Sequence, residues 1–303
     1  MSNDESTKPS ERFLMSPPLP SPNDSPPPSP EVEVTFGARS RRGPLRFQND
    51  DHYLVTRLGR YQDTLLTSLS DEDVPRRFDE HGYGMVVADG LGNAGETASR
   101  TAISTLVHLA LSFGKWHVRV DEPIAEEMMD RADRFYRAVD ATLLQGGQER
   151  SRSLLTTLTT VYTAGSDLFF AHVGHSRAYL YRHDALLQLT RDHTREPELS
   201  KTRTITPVGG GARDVQHVVT ETLGRAGAGI PRVDIERCGL LDGDVVLLCT
   251  NGLTDVVDDG QIAVLLRLHP TPDDLCRALV EQAVTSGSQD DVTVVAARYR
   301  IPE

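Results

Sequence analysis

The chain reads as an α+β protein built in layers. Three features predict this. An apolar run at Met85–Ala88 has the length of a buried strand, and two long helical patterns follow it. Short segments rich in Thr, Val, Tyr and Phe then fill residues 154–189. Two further helices and a last strand close the chain. That order fits packed layers better than repeated strand–helix–strand units. No internal repeat is visible.

Residues 1–36 are expected to form a disordered Pro/Ser-rich tail. Ser16-Pro17-Pro18-Leu19-Pro20 and Ser25-Pro26-Pro27-Pro28-Ser29-Pro30 cannot build a core and favour extended polyproline conformations. A solvated tail, a docking segment for a Pro-binding partner and a set of Ser-Pro phosphorylation sites all remain open. Residues 37–303 are expected to form the folded domain. Ala98, Ala102, Leu106, Leu109 and Phe113 recur at helical spacing within Thr97–Phe113. Asp121-Glu122-Pro123 signals the start of a second helix, with Ile124, Met128, Phe135, Val139 and Leu143 along one face. Leu154–Ala164, Asp167–Val173, Arg177–Tyr181 and Ala185–Leu189 read as consecutive antiparallel strands. Lys201–Arg213 lacks periodicity and reads as a mobile surface loop, with Gly209–Gly211 as a flap beside a cleft. Val245–Cys249 is a buried strand. Helices follow at Gln261–Leu268 and from Thr271-Pro272 through Ala283, and Val292–Tyr299 is the final strand.

Composition narrows the function. The 303 residues carry a net charge of −12, which disfavours binding to nucleic acid. The three cysteines, Cys238, Cys249 and Cys276, form no CxxC pair, so neither a disulfide framework nor a zinc site is indicated. A reduced, cytoplasmic setting is the default expectation. No apolar run reaches the roughly 20 residues of a membrane span, and the N-terminus lacks a signal-peptide core.

The chemistry is expected at strand ends. Asp89 follows the strand Met85–Ala88 and precedes Gly90-Leu91-Gly92, where the backbone can turn sharply and admit a close ligand. Asp51 precedes Tyr53-Leu54-Val55, and Asp290 and Asp291 precede the last strand. Each alone reads as a turn residue. Together they suggest oxygen ligands for hard divalent ions, a pair of which, about 3.5–4 Å apart, can clamp a phosphoryl group.

Six segments carry a resemblance. They are Arg46-Phe47-Gln48-Asn49-Asp50-Asp51, Ala88-Asp89-Gly90-Leu91-Gly92-Asn93 and Val173-Gly174-His175-Ser176-Arg177. Leu189-Thr190-Arg191-Asp192-His193-Thr194, Leu248-Cys249-Thr250-Asn251-Gly252-Leu253 and Gly287-Ser288-Gln289-Asp290-Asp291-Val292 complete the set. Over about residues 38–300 the chain resembles the protein phosphatase 2C family, the metal-dependent Ser/Thr phosphatases, in its bacterial form. The resemblance implies a four-layer αββα sandwich, two antiparallel sheets flanked by antiparallel helix pairs, with two Mg²⁺ or Mn²⁺ ions in a cleft at one end. Asp89 would bridge both ions, the Gly90 carbonyl would serve the first and Asp290 the second. Asp51 would hold metal-bound water, and Arg46 would grip the substrate phosphate as a fork. A water activated by metal would attack phosphoserine or phosphothreonine in line, with no phosphoenzyme.

Two departures accompany the match. The family's Gly-Asp-Ser-Arg is Gly174-His175-Ser176-Arg177 here, and its Ser/Thr-Asp-Gly-Leu is Thr250-Asn251-Gly252-Leu253. Asn251 offers a neutral oxygen and His175 a nitrogen, a poorer partner for Mg²⁺. A third-metal site is therefore expected to be absent or altered and the second weakened, with His175 and Asn251 hydrogen-bonding each other in place of the ion. Leu91 stands where some eukaryotic relatives carry a proposed general-acid histidine, so leaving-group protonation would come from water. His172 and His175 would point to opposite faces of a strand and share no ion. The expected function is a metal-dependent protein serine/threonine phosphatase acting on phosphoproteins of Ser/Thr kinases. The alternative is a pseudophosphatase, a phosphoprotein-binding module with an impaired metal site.

Overall fold

The computed structural model describes residues 32–115, 120–194 and 220–301. Strand β1 spans Glu33–Arg41, β2 Asp51–Asp63 and β3 Arg77–Leu91. Helices α1 (Gly95–Phe113) and α2 (Glu122–Arg150) follow. Five strands come next, namely β4 (Leu155–Thr156), β5 (Leu158–Ala164), β6 (Asp167–Val173), β7 (Arg177–Arg182) and β8 (Ala185–Gln188). Then come β9 (Asp234–Gly239), β10 (Val245–Cys249), α3 (Asn251–Thr254), α4 (Asp259–Leu268), α5 (Pro272–Thr285) and β11 (Val292–Arg300).

The strands form two antiparallel sheets. One runs β1-β11-β10-β7-β8 and the other β2-β3-β5-β6-β9, with β4 paired to β3. Side-chain alternation explains the four layers. On β10, Val246 and Leu248 join Met85, Val87, Val161 and Phe170 in the core between the sheets. Its other face sends Val245, Leu247 and Cys249 against Leu253, Ile262, Leu275 and Leu279 of the α3–α5 layer. On β3, Val86 and Ala88 turn outward against Ala98, Ala102, Tyr136 and Leu143 of α1 and α2. A strand buried on both faces must be apolar at every position. For that reason Val245–Cys249 reads as an unbroken run in the sequence.

Helix starts follow their caps. Asp121 accepts the Ile124 N–H at 2.9 Å. Asp258 and Gln261 exchange reciprocal bonds at the start of α4, and Thr271 caps α5 ahead of Pro272.

Several expectations need correction. Strand β1 begins at Glu33, ahead of the boundary placed after residue 36, because Val32, Val34, Phe36 and Ala38 alternate into the core between the sheets. Residues 1–31 and the loop Lys201–Arg213, with Gly209–Gly211, lie outside the described residues. On α2 it is Tyr136, rather than Phe135, that is fully buried. Its hydroxyl donates to the Ala171 carbonyl at 2.7 Å, which satisfies its polar end. Strands β6 and β7 do not pair. The chain crosses from one sheet to the other through Gly174-His175-Ser176, and Gly174 adopts φ 122° there. Strand β9 and the short α3 have no counterpart in the sequence-based expectation.

Candidate active site

Strands β2 and β3 pair so that Asp51 stands directly opposite Asp89. Both carboxylates are 5% exposed. The Asp89 backbone is fixed by Thr157, whose Oγ1 accepts its N–H at 3.0 Å and whose N–H donates to its carbonyl at 2.9 Å. Asp51 is held from the other sheet, because Thr250 Oγ1 donates to Asp51 Oδ2 at 2.8 Å. Thr250 Oγ1 in turn accepts the Thr293 N–H at 3.0 Å, so β10 and β11 position that hydroxyl together.

Asp290 and Asp291 reach the same place on the turn before β11, with different duties. Asp291 Oδ1 accepts the Gly43 N–H at 2.8 Å and its Oδ2 the Asp50 N–H at 2.7 Å. It braces the loop that carries Arg46. Asp290 Oδ1 accepts Arg46 Nε at 2.9 Å, Arg46 Nη2 at 2.5 Å and the Asp291 N–H at 2.8 Å. Arg46 Nη1 lies 3.8 Å from Asp50 Oδ2. The fork expected to face a substrate phosphate is therefore closed on Asp290 in this structure.

Electrostatics mark the cluster. Burial, followed by the charges of Asp51 and Asp290, holds the Asp89 carboxyl well above the usual carboxylate range, against the pull of Arg46. Burial likewise raises Asp51 to about 7, with the Thr250 and Thr293 bonds opposing and Asp291 and Asp290 adding to the rise. Carboxylates that crowd one another in low dielectric favour a cation between them.

The donor set fits a hard divalent ion. Every side chain at the centre of the cluster offers oxygen, and nitrogen enters only through His175 and Arg46. Among the described residues no group of three or more His, Cys, Asp or Glu side chains is drawn together into a cage that could hold a metal ion. Mg²⁺ needs no such cage, since it is held by one or two carboxylates and keeps several waters.

Other expected residues are placed as follows. His175 Nδ1 lies 3.9 Å from Asp89 Oδ2, so the histidine does face the central carboxylate. Asn251 opens α3. Its Nδ2 donates to Asp255 Oδ2 at 2.9 Å, and its Oδ1 is buried without a hydrogen-bond partner among the described residues. The mutual bond expected of His175 and Asn251 is not the arrangement found, because the nearer Asp255 takes the amide. A Cβ on Gly90 would fall 1.9 Å from the Gly95 carbonyl oxygen. Glycine is thus required at Gly90 by the start of α1, where close approach of a ligand had been the expectation. His172 and His175 share no site. His172 donates Nε2–H to the Gly174 carbonyl at 3.0 Å, and its ring lies 5.0 Å from that of His193.

Sequence reasoning missed three supports. Asp50 Oδ1 accepts the Glu96 N–H at 2.9 Å, at the first turn of α1. Arg177 and Asp192 form a two-point pair at 2.9 and 2.7 Å, which joins two of the quoted motifs. Gly43 and Asp50 are tied through Asp291 as described above. The Asp50-Asp51 and Asp290-Asp291 doublets were the available signal, since only one member of each pair can face the cleft.

Two sheets packed face to face, flanked by helix pairs, with acidic strand ends and an arginine at one rim, define a phosphatase-type αββα domain. Residues 79–300 match the family model described as stage II sporulation protein E (SpoIIE). The serine/threonine protein phosphatase PstP of Mycobacterium tuberculosis is 30% identical over 270 residues, 87% of this chain and 45% of PstP. The chain thus spans less than half of that relative. The serine/threonine phosphatase stp of Listeria innocua is 27% identical over 215 residues, 70% of this chain and 82% of stp. The crystal structure of the PstP catalytic domain in complex with two manganese ions superimposes with a TM-score of 0.66 at 26% identity, covering 89% of this chain and 99% of that one. The S. agalactiae serine/threonine phosphatase shares the fold, with a TM-score of 0.67 at 22% identity and coverage of 88% of this chain and 99% of that one. The chain belongs to the SpoIIE/PP2C-type phosphatase domain family.

Proposed function

We propose that the protein is a metal-dependent protein serine/threonine phosphatase that hydrolyses phosphoserine and phosphothreonine. The observation that carries this reading is the convergence of Asp51 and Asp89, in register from one sheet, on Asp290 from the other. Relatives named as serine/threonine phosphatases and a PstP structure with two manganese ions support it.

Asp89, the Gly90 carbonyl and Asp290 would hold two Mg²⁺ or Mn²⁺ ions, with Asn251 as a weak further oxygen donor. When bound, such ions supply a more acidic water and neutralise phosphoryl charge. Asp51, held by Thr250, would orient water beside Asp89. Arg46 binds the substrate phosphate, which competes with Asp290 for the guanidinium. Asp291 keeps Arg46 in place by fixing the peptide on either side of it. His175 stands where the resemblance implies an aspartate and lowers the negative charge beside Asp89, which would weaken the second metal position and leave the third absent or altered. The phosphorylated substrates would be proteins modified by Ser/Thr kinases.

The folded unit would run from residue 32 onward, with the Pro/Ser-rich segment preceding it. No helix among the described residues is long and apolar enough to cross a membrane. A cytoplasmic setting agrees with three free cysteines, two of them buried.

Hydrolysis of a phosphothreonine peptide with added Mn²⁺, compared between wild type and Asp89→Asn, tests the reading. Turnover by the wild type and a loss of at least a hundredfold in the variant are expected. Equal rates would remove the site from the reaction. Phosphopeptide binding without turnover in the wild type would favour the pseudophosphatase.

A further inference from the structure

An apolar cavity of about 250 Å³ lies between α1, α2 and the outer face of the β2–β9 sheet. Leu54 of β2, Val86 of β3, Leu106 of α1, Met128 and Phe135 of α2, and Phe169 of β6 line it. Lys115 and Arg131 also face it. One carboxylate serves both cations. Lys115 Nζ donates to Glu127 Oε1 at 2.8 Å, whereas Arg131 Nη1 lies 3.8 Å from that oxygen, beyond hydrogen-bond reach. Arg131 Nη1 is buried and has no hydrogen-bond partner among the described residues. The Arg131 side chain is only 12% exposed.

A buried cationic N–H without a partner is costly, and packed interiors rarely keep one. Burial depresses the basicity of Arg131, and the charge of Glu127 only partly opposes this. An anion at Arg131 would remove the cost. Apart from Thr56, Thr160 and the phenols Tyr136 and Tyr162, the rest of the wall is hydrocarbon and aromatic, which calls for an apolar body behind that anion. Size narrows the class further. The cavity exceeds the roughly 150 Å³ that holds a benzene and falls short of the roughly 300 Å³ where drug-sized sites begin.

We propose that this cavity is a binding site for a medium-chain monocarboxylic acid, with the carboxylate on Arg131 and the alkyl chain among the apolar side chains of α1, α2 and the sheet. A guanidinium matches a carboxylate through two parallel bonds. The site is separate from the acidic cluster. Val86 of its wall lies on β3, three residues before Asp89.

Calorimetric titration of the full chain with octanoate, and separately with octanol, tests the proposal. Wild type should bind octanoate saturably at one site. Arg131→Met keeps the bulk of the side chain and should weaken octanoate at least tenfold while leaving octanol within about twofold. Ala132→Phe fills the cavity and should abolish binding of both ligands, and Ala110→Phe provides a second filling variant if the first does not fold. Absence of saturable octanoate binding to wild type would overturn the proposal. So would equal octanoate affinity in Arg131→Met, or unchanged binding in a folded, filled variant.

Discussion

Asp291 holds the backbone N–H groups of both Gly43 and Asp50, at 2.8 and 2.7 Å, and so closes the loop that presents Arg46. A carboxylate that accepts two backbone donors at a nearly buried position is structural even though it adjoins a catalytic candidate. Asp291→Ala leaves both donors without their acceptor. It should cost about 2–4 kcal/mol of stability by urea denaturation. Asp291→Asn can accept from only one donor through its single carbonyl oxygen and should fall between.

His172 supplies a pH dependence of folding. Burial, aided by the neighbouring His193, lowers its pKa to about 4. Thr159 Oγ1 donates to its Nδ1 at 2.8 Å and its Nε2–H donates to Gly174, so the neutral ring is fully satisfied. In the unfolded chain a histidine titrates near 6.5. The unfolded state therefore binds more protons between pH 6.5 and 4. The stabilising contribution is complete above pH 6.5 and is lost as pH falls toward 4, by roughly 3 kcal/mol in all. Urea midpoints at pH 7 and pH 4.5 should differ, and His172→Gln should flatten the difference.

The double change His175→Asp with Asn251→Asp restores the family's acidic pattern. Without metal it adds a like charge about 4 Å from Asp89 and should lower the melting temperature. With Mn²⁺ it should raise it, and calorimetry should show at least tenfold tighter metal binding. Unchanged affinity would count against the placement of the altered site.

Phe47 and Leu45 are 102% and 76% exposed on either side of Arg46. Arg42 Nη1 donates to the carbonyls of Arg46 and Phe47 at 3.1 and 2.7 Å, which fixes the loop that displays them. Phosphopeptides with an apolar residue beside the phosphoresidue should be preferred. Phe47→Ser should lower kcat/KM for such peptides about tenfold, equivalent to about 1.4 kcal/mol of lost contact. It should leave p-nitrophenyl phosphate turnover unchanged.

Strand β1 can be tested by truncation. A chain that starts at residue 37 loses Val34 and Phe36 from the core between the sheets. It should melt well below a chain that starts at residue 32.

Much of this architecture was legible because apolar periodicity and burial coincide. Val245–Cys249 and Met85–Ala88 are buried on both faces and read as strands without ambiguity. Asp121 and Thr271 are caps whose chemistry is local. The boundary of the folded domain falls four residues ahead of the expected one because Glu31 and Glu33 interrupt Val32 and Val34, and alternation over so short a span resembles a charged linker. Strand β9, Asp234–Gly239, has only half-buried or exposed residues and gives no run to detect. At the site, the acidic residues were legible as strand ends. Their division of labour was not. Which of Asp290 and Asp291 faces the cleft depends on backbone donors from Gly43 and Asp50, more than 240 residues away. The closure of Arg46 on Asp290 and the diversion of Asn251 to Asp255 are likewise choices among competing partners that only the assembled geometry fixes.

Thr250 belongs to one half of the sandwich and Asp51 to the other, and their single hydrogen bond spans the seam at the acidic rim. A cation seated beside that seam could be captured only after the two halves have docked in the right alignment. On the proposed function, divalent metal would then serve as a checkpoint on assembly as well as a reagent, with half-formed chains unable to retain it and finished ones made harder to pull apart.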